Sequence, residues 1–265
     1  MAKKKASMKL RFERKMIRAL SPATQKLMEP PKLDGIKRAL FIQPHPDDNQ
    51  IGAGGTIAAL VAQGAEVFEL TALDDRYVDL TYSGEGLTHR QKEALAAQEC
   101  LGMKNAGFLG FGDRTKASMR EIADAITLVI RKIQPDAVFT VDPNLENEFH
   151  EDHIKIARAV QTAVEDAGNG FLPEYQDGKR REDTWRVNTI GFYFTDKPNT
   201  IVDIALYEEV KLKAILCHDS QQEPGLILST KLVAQQFAMG TEYEAVEVLR
   251  MISSLHKHCF PLPVG

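Results

Sequence analysis

The sequence predicts an α/β fold, a doubly wound and mostly parallel sheet with helices on both faces, on three observations. Short, wholly apolar runs read as strands buried on both sides. Between them lie longer segments with apolar residues at helical spacing, and Gly or Pro punctuates most junctions. Strand and helix therefore alternate, which is the pattern of β-α-β crossovers rather than of hairpins.

The elements follow in order. Arg38-Ala39-Leu40-Phe41-Ile42-Gln43 is the first strand, and Gly52-Ala53-Gly54-Gly55-Thr56 opens a helix that carries Ile57, Leu60 and Val61 and stops at Gly64. Glu66 to Leu70 is the second strand, followed by a polar loop from Asp74 to Gly86. Thr88 with Gln91 three residues on forms a capping box, and Gly102 closes that helix. Phe108 and Leu109 mark a third strand, and residues 117–133 an amphipathic helix through Ile122, Ile126, Val129, Ile130 and Ile133, ended by Pro135. Ala137 to Val141 is the fourth strand and Ile154 to Val164 the helix beyond its loop. The Gly-rich and charged segment 168–186 is a surface excursion; Thr189 to Phe194 and Ile201 to Ile204 are strands, with helices near 206–217 and 229–239. Tyr243 to Ile252 stays open, because its Glu and Ala favour helix while Val246 and Val248 suit a strand.

The chain of 265 residues is 43% hydrophobic and 26% charged, which excludes collagen-like, coiled-coil and largely disordered classes and allows one large domain. We divide it into a basic N-terminal arm, 1–36, and a single domain, 37–265. In its first twenty residues, Lys3, Lys4, Lys5, Lys9, Arg11, Arg14, Lys15 and Arg18 face only Glu13, and Phe12, Met16 and Leu20 recur at helical spacing. That pattern is a targeting or membrane-surface helix in one reading, and a solvated arm packing on its own or a neighbouring subunit in the other. Overall, 33 basic against 37 acidic residues give a net charge of −4, so no nucleic-acid partner is expected. No apolar run approaches the ~18 residues of a membrane span, and no integral membrane contact is expected. Cys100, Cys217 and Cys259 are widely separated, without metal or redox spacing, and read as reduced thiols of a cytoplasmic protein.

Two clusters carry chemistry. Pro44-His45-Pro46-Asp47-Asp48 directly follows the first strand, and His150-Glu151-Asp152-His153 follows the fourth. Loops at the carboxyl ends of such strands line one crevice, so residues a hundred positions apart can meet there. Imidazoles and a carboxylate converging in this way fit a catalytic metal site; zinc suits a nitrogen and oxygen donor set without sulfur, and iron, cobalt or nickel fits it as well. The plain alternatives are helix-capping aspartates and an exposed His pair, which placement of both clusters at one sheet edge disfavours. Gly52 and Gly54 lack the third glycine of a dinucleotide fingerprint, and they read instead as a close approach of helix to sheet.

On these residues the chain resembles the LmbE-like or PIG-L-type N-acetylglucosaminyl deacetylases, zinc hydrolases with a Rossmann-like fold, whose His-Pro-Asp-Asp and His-x-Asp-His loops stand here as 45–48 and 150–153. The likeness runs from about Arg38 to the C-terminus. Segments 193–199, 201–204 and 211–215 make it most similar to the diacetylchitobiose deacetylase branch. The resemblance implies that His45, Asp48 and His153 hold Zn2+ and that Asp47 is the base. The chemistry agrees: hydrolysis of an amide needs activated water, a base, an oxyanion donor and a proton for the leaving amine. His150 suits one of the last two tasks, with Asp152 orienting or tuning it.

Further candidates are less direct. Arg90, three residues before Glu93, matches a substrate-contacting helix start; the alternative is a surface cation. His218, before Asp219-Ser220-Gln221, matches a family pattern, and equally a cation at a helix C-terminus. His258 resembles a C-terminal His-x-x-Pro that reaches a neighbouring pocket in ring-like oligomers, which implies a homo-oligomer, trimer or hexamer; His256 is the competing match. Asn49 stands where Glu is common, removing a charge beside the metal. Asp74-Asp75 replaces the commoner Asp-Gly, which makes Asp75 a pocket-lining candidate. The expected activity is removal of the N-acetyl group from an amino-sugar small molecule or short oligosaccharide. Its rivals are a non-catalytic, metal-organised sugar-binding protein, a nucleotide-binding module and a non-haem iron oxygenase.

Overall fold

The computed structural model describes residues 29–75, 83–170 and 183–257, with Arg11, Lys15 and Met16. Most of the basic arm, part of the 168–186 excursion, His258 and Cys259 lie outside the described residues. In chain order the elements are β1 (Arg38–Gln43), α1 (Asp48–Ala62), β2 (Glu66–Asp74), α2 (His89–Leu101), β3 (Lys104–Gly112), α3 (Met119–Ile133), β4 (Ala137–Val141), α4 (Glu151–Asp166), β5 (Thr189–Tyr193), β6 (Thr200–Asp203), α5 (Glu208–Leu216), α6 (Leu226–Ala238) and β7 (Val246–Ser253).

The strands form one seven-stranded sheet in the order β3-β2-β1-β4-β5-β7-β6. The first five are mutually parallel, and β7 lies antiparallel between β5 and β6. Because side chains alternate across a strand, β1 feeds two cores. Ala39 and Phe41 pack with Ile57, Leu60 and Ala97 of α1 and α2 on one face. Leu40 and Ile42 pack with Ile122 and Ile126 of α3 and Val160 of α4 on the other. This is the expected doubly wound α/β architecture. Among the described residues no helix is long and apolar enough to cross a membrane.

Local signals hold where they are strong. Thr88 accepts from Gln91 N at 3.3 Å and returns its own N–H to Gln91 Oε1 at 3.1 Å, the predicted capping box. The glycines of α1 bring helix and sheet together: a Cβ on Gly52 would lie 2.2 Å from Tyr193 Cδ2, and one on Gly55 2.5 Å from Ile204 Cγ2. The open stretch before residue 253 resolves as a strand. Val246 and Leu249 are buried there, and β7 fills the slot between β5 and β6 that a helix would leave unpaired. The third strand is longer than its apolar pair suggests, nine residues with register shifts against β2, because an edge strand needs to satisfy only one partner.

Candidate metal centre and active site

β1 and β4 are neighbours, with β2 beyond one and β5 beyond the other. The loops leaving their carboxyl ends therefore open a crevice at the point where the strand order reverses, the expected ligand position of such a sheet. The two His/Asp clusters meet there.

The first loop is tightly held. Asp47 has φ 128°, a conformation that side chains rarely adopt. Gln43, at the end of β1, stabilises it by accepting from Asp47 N at 3.4 Å and Asn49 N at 3.0 Å. His45 N donates to Asp48 Oδ2 at 2.8 Å. Asp47 precedes α1 but makes no side-chain capping bond, and His150 likewise precedes α4 without one. Neither side chain is spent on ending its helix.

Three imidazoles gather: the closest ring nitrogens of His45, His150 and His153 lie within 4.8 Å of one another. Asp48 joins them, with Oδ1 3.3 Å from His153 Nε2 and Oδ2 3.6 Å from His45 Nδ1. Burial opposes its charge, yet the hydrogen bonds and charges of His153 and His45 hold its carboxyl well below the ordinary range. His153 loses by burial and gains more from Asp48 and Glu148, rising to about 9. Asp47 moves oppositely: burial and the neighbouring Asp48 charge push it up to about 7, against Arg90. Two adjacent carboxylates are thus driven apart, which is how acid and base roles separate in one site.

The second ring of residues is equally ordered. Arg90 Nη2 donates to Pro46 O at 2.9 Å and to Asp47 Oδ2 at 3.4 Å. Its buried Nε has no protein partner among the described residues. Asp75 Oδ1 accepts from the Thr88 hydroxyl at 2.7 Å, tying the end of β2 to the start of α2.

This arrangement has known counterparts. The family model for PIG-L, GlcNAc-PI de-N-acetylase, matches residues 40–164. A diacetylchitobiose deacetylase of Thermococcus kodakarensis is 34% identical over 263 residues, covering 94% of this chain and 95% of that one. The chain belongs to the PIG-L family of deacetylases. The solved N,N'-diacetylchitobiose deacetylase of Pyrococcus horikoshii, in complex with the inhibitor MPG, superposes with a TM-score of 0.73 at 32% identity, over 86% of this chain and 88% of that one. A 1D-myo-inositol 2-acetamido-2-deoxy-alpha-D-glucopyranoside deacetylase of Rhodococcus erythropolis is 31% identical over 166 residues, 52% of this chain and 56% of its own.

For this PIG-L family member the structure corrects one sequence reading. Asp152 acts on His150 through its charge, which favours the protonated ring, and not through a hydrogen bond: it accepts from Arg114 N at 2.8 Å and lies 3.5 Å from His45 Nε2. Residues two apart at a helix start face different ways, so Asp152 turns inward to His45 while His150 stays at the rim. Asn49 brings no charge, as the sequence implies, and its amide fixes the loop. Its amide donates to the buried Glu69 at 2.9 Å and its oxygen accepts from the Tyr193 hydroxyl at 2.8 Å. Glu69, which also accepts from Gln50 and Gln98, is the buried acceptor of this amide network, and burial opposes its ionisation.

Two members of the centre escaped sequence reading. Glu148 Oε2 lies 2.8 Å from His153 Nδ1, and its other oxygen accepts from His150 N at 2.7 Å. Asp113, just past β3, places Oδ1 3.9 Å from His45 Nε2. The signal for both was position: each sits in a loop at the carboxyl end of a strand.

His256, the competing C-terminal histidine, is buried with Nδ1 2.9 Å from Ser253 Oγ. Ser253 pairs with Thr189, the first residue of β5, so His256 lies at the sheet edge opposite the metal centre. His218 is fully buried, and among the described residues neither ring nitrogen has a hydrogen-bond partner. Beside it, Ser220 N and Oγ donate to Glu93 at 2.7 and 2.6 Å, joining the end of α5 to α2.

Burial pushes His218 down to about 4. Between the ordinary value near 6.5 and that value, the unfolded chain binds a proton that the folded chain refuses. Stability is therefore full above pH 6.5 and falls by about 3 kcal/mol as pH drops to 4. His218→Gln should lack this part of the acid slope in denaturant melts at several pH values. Parallel slopes for the two proteins would refute it.

Proposed function

We propose that the chain is a hydrolase that removes the N-acetyl group of an N-acetylglucosamine-containing small molecule or short oligosaccharide, giving acetate and the free amine. The observation that carries this reading is Asp47, a buried carboxylate of raised pKa held in a strained loop beside the imidazole cluster. The relatives that act on diacetylchitobiose and on an inositol-linked acetamido sugar support the substrate class.

The residues fit a divalent cation, since neutral imidazoles and a carboxylate without sulfur are the donors of a hydrolytic site. His45, Asp48 and His153 would hold it, zinc being our first choice. When bound, such an ion polarises the acetyl oxygen and acidifies water. Asp47 takes the proton from the attacking water and passes it to the departing nitrogen. Arg90 fixes the Asp47 carboxylate through its 3.4 Å contact. His150, at the rim, donates to the oxygen that gains charge as the carbonyl becomes tetrahedral. Asp152 and Glu148 hold His45 and His153 in place.

We also infer a homo-oligomer, trimer or hexamer, in which His258 serves a neighbour's centre. In support, β7 delivers the chain at Ser253 to the sheet edge away from its own centre. Light scattering on the active enzyme decides the subunit number. A cytoplasmic location is supported by the free thiols of Cys100 and Cys217.

The test is acetate release from free N-acetylglucosamine, diacetylchitobiose and glycosides of N-acetylglucosamine, with zinc or cobalt supplied. Turnover should fall more than about tenfold on chelation and return on adding metal back. Release from none of these substrates with either metal would reject the function.

A further inference from the structure

Away from the metal centre, Cys100 and Cys217 bring two free thiols to one helix contact. Cys100 lies in the last turn of α2, and Cys217 directly follows α5. The two helices pack on each other. Cys100 Sγ reaches across that contact to 3.9 Å from Val210 O, a main-chain carbonyl of α5. Cys217 Sγ turns back along its own helix and lies 3.4 Å from Lys213 O. Residues three apart in a helix share a face and stand about 4.5 Å apart along the axis, so both sulfurs are held on one short strip of α5.

The electrostatics agree with that placement. Lys213, raised chiefly by Glu209, is raised also by the Cys100 thiol, which therefore lies near the residue whose carbonyl holds Cys217. Burial pushes the Cys217 thiol up, and the field and side-chain hydrogen bond of Cys100 add to the shift. Both thiols are only partly buried, at the border of the core that Tyr207 and Val210 also line, so a small oxidant has access to them. Among the described residues, the one group of three metal-donor side chains is that of His45, His150 and His153. The thiols therefore form a pair, without the further ligands that a structural metal needs.

We propose that Cys100 and Cys217 are a redox modification site, at which an oxidant of the disulfide class, glutathione disulfide, closes a reversible disulfide between α2 and α5. One protein thiolate attacks a sulfur of the oxidant and expels one glutathione thiolate. The second protein thiolate attacks the resulting mixed disulfide and expels the other. Two thiol protons pass to the two glutathiones, two electrons pass to the oxidant, and one S–S bond replaces another. The inference stands apart from the deacetylase reading and needs no metal.

The bond would join elements that already meet. Ser220, three residues after Cys217, holds Glu93 of α2 through its N–H and hydroxyl, and Arg90 stands one turn before Glu93. A disulfide adds a covalent tie between the same two segments. It also closes a long stretch of chain, which restricts the unfolded state most, so the oxidised protein should resist heat better than the reduced one.

The experiment incubates the native, full-length protein with glutathione disulfide, alkylates the remaining thiols after denaturation and maps peptides without reduction. Cys100 and Cys217 should escape alkylation and appear in one linked peptide. Tm should rise by roughly 5–10 °C, and dithiothreitol should reverse both changes. Cys100→Ser and Cys217→Ser should each lack the linked peptide and the rise in Tm. Free thiols at both positions after the incubation overturn the proposal, as do separate glutathione adducts on the two residues or a link from either one to Cys259. A Cys100–Cys217 link that lowers Tm overturns it too, because the sulfurs would then meet only after the helices part.

Discussion

Asp47→Asn should lower kcat by about 10²–10⁴-fold while the protein keeps its full complement of metal. Among the described residues the carboxylate makes no bond that builds the fold: it precedes α1 without capping it, and its side-chain bond is to the guanidinium of Arg90. The proposed ligands His45, Asp48 and His153 keep their own contacts, because Asn has nearly the shape of Asp and the strain at this position is held by Gln43 from β1. What Asn cannot do is accept a proton at neutral pH. A thousandfold loss corresponds to about 4 kcal/mol of transition-state stabilisation, within what one positioned base supplies. Stability gives the control. Burial and the Asp48 charge already oppose ionisation of Asp47, so a neutral amide should leave the metal-free protein at least as stable. Full activity in Asp47→Asn would remove this residue from the chemistry. Lost activity with lost metal or a lowered Tm would instead make it structural.

The contrast between Asp47 and its supports explains how much the sequence disclosed. His45, Asp47, Asp48, His150 and His153 were legible because the strands before them are short apolar runs, and a loop after such a strand has a known place in the fold. Glu69, Asp113 and Glu148 were not, since a lone acid within a strand or loop has no pattern until its partners are known. Glu69 in sequence is one polar residue in a strand; in space it is the acceptor for Asn49, Gln50 and Gln98. Asp152 shows the converse limit, where nearness to His150 in sequence suggested a pairing that the helix geometry turns toward His45. β7 failed for a different reason. Its composition is compatible with either element, and only the vacancy between β5 and β6, set by residues some fifty positions earlier, selects the strand.

Lys211→Met should destabilise the protein by about 3–5 kcal/mol, the usual consequence of leaving one member of a buried ion pair alone. Glu247 of β7 lies under the kink of α1, where Ala53 departs from helical geometry and a second helical start is exposed. Its carboxylate accepts from Gly55 N at 2.9 Å, Thr56 N at 2.7 Å and the Thr56 hydroxyl at 2.6 Å, acting as an N-cap supplied from nearly two hundred residues away. Lys211 of α5 meets the same carboxylate at 2.6 Å, and both side chains are almost wholly buried. The group therefore joins three elements: β7, α5 and the helix whose first turn carries Asp48. With Met at 211 the carboxylate keeps its backbone donors but loses the opposing charge, in a place water does not reach. A Tm drop of roughly 10 °C is expected for a chain of this size. Adding Glu247→Gln removes the unpaired charge while keeping an acceptor for the helix start, so the double variant should be more stable than Lys211→Met alone. A coupling of several kcal/mol in that double-mutant cycle is the expected result. Additive losses would show that Lys211 stabilises α1 only through its packing against Gly54, whose Cβ would stand 2.9 Å from Lys211 Cγ.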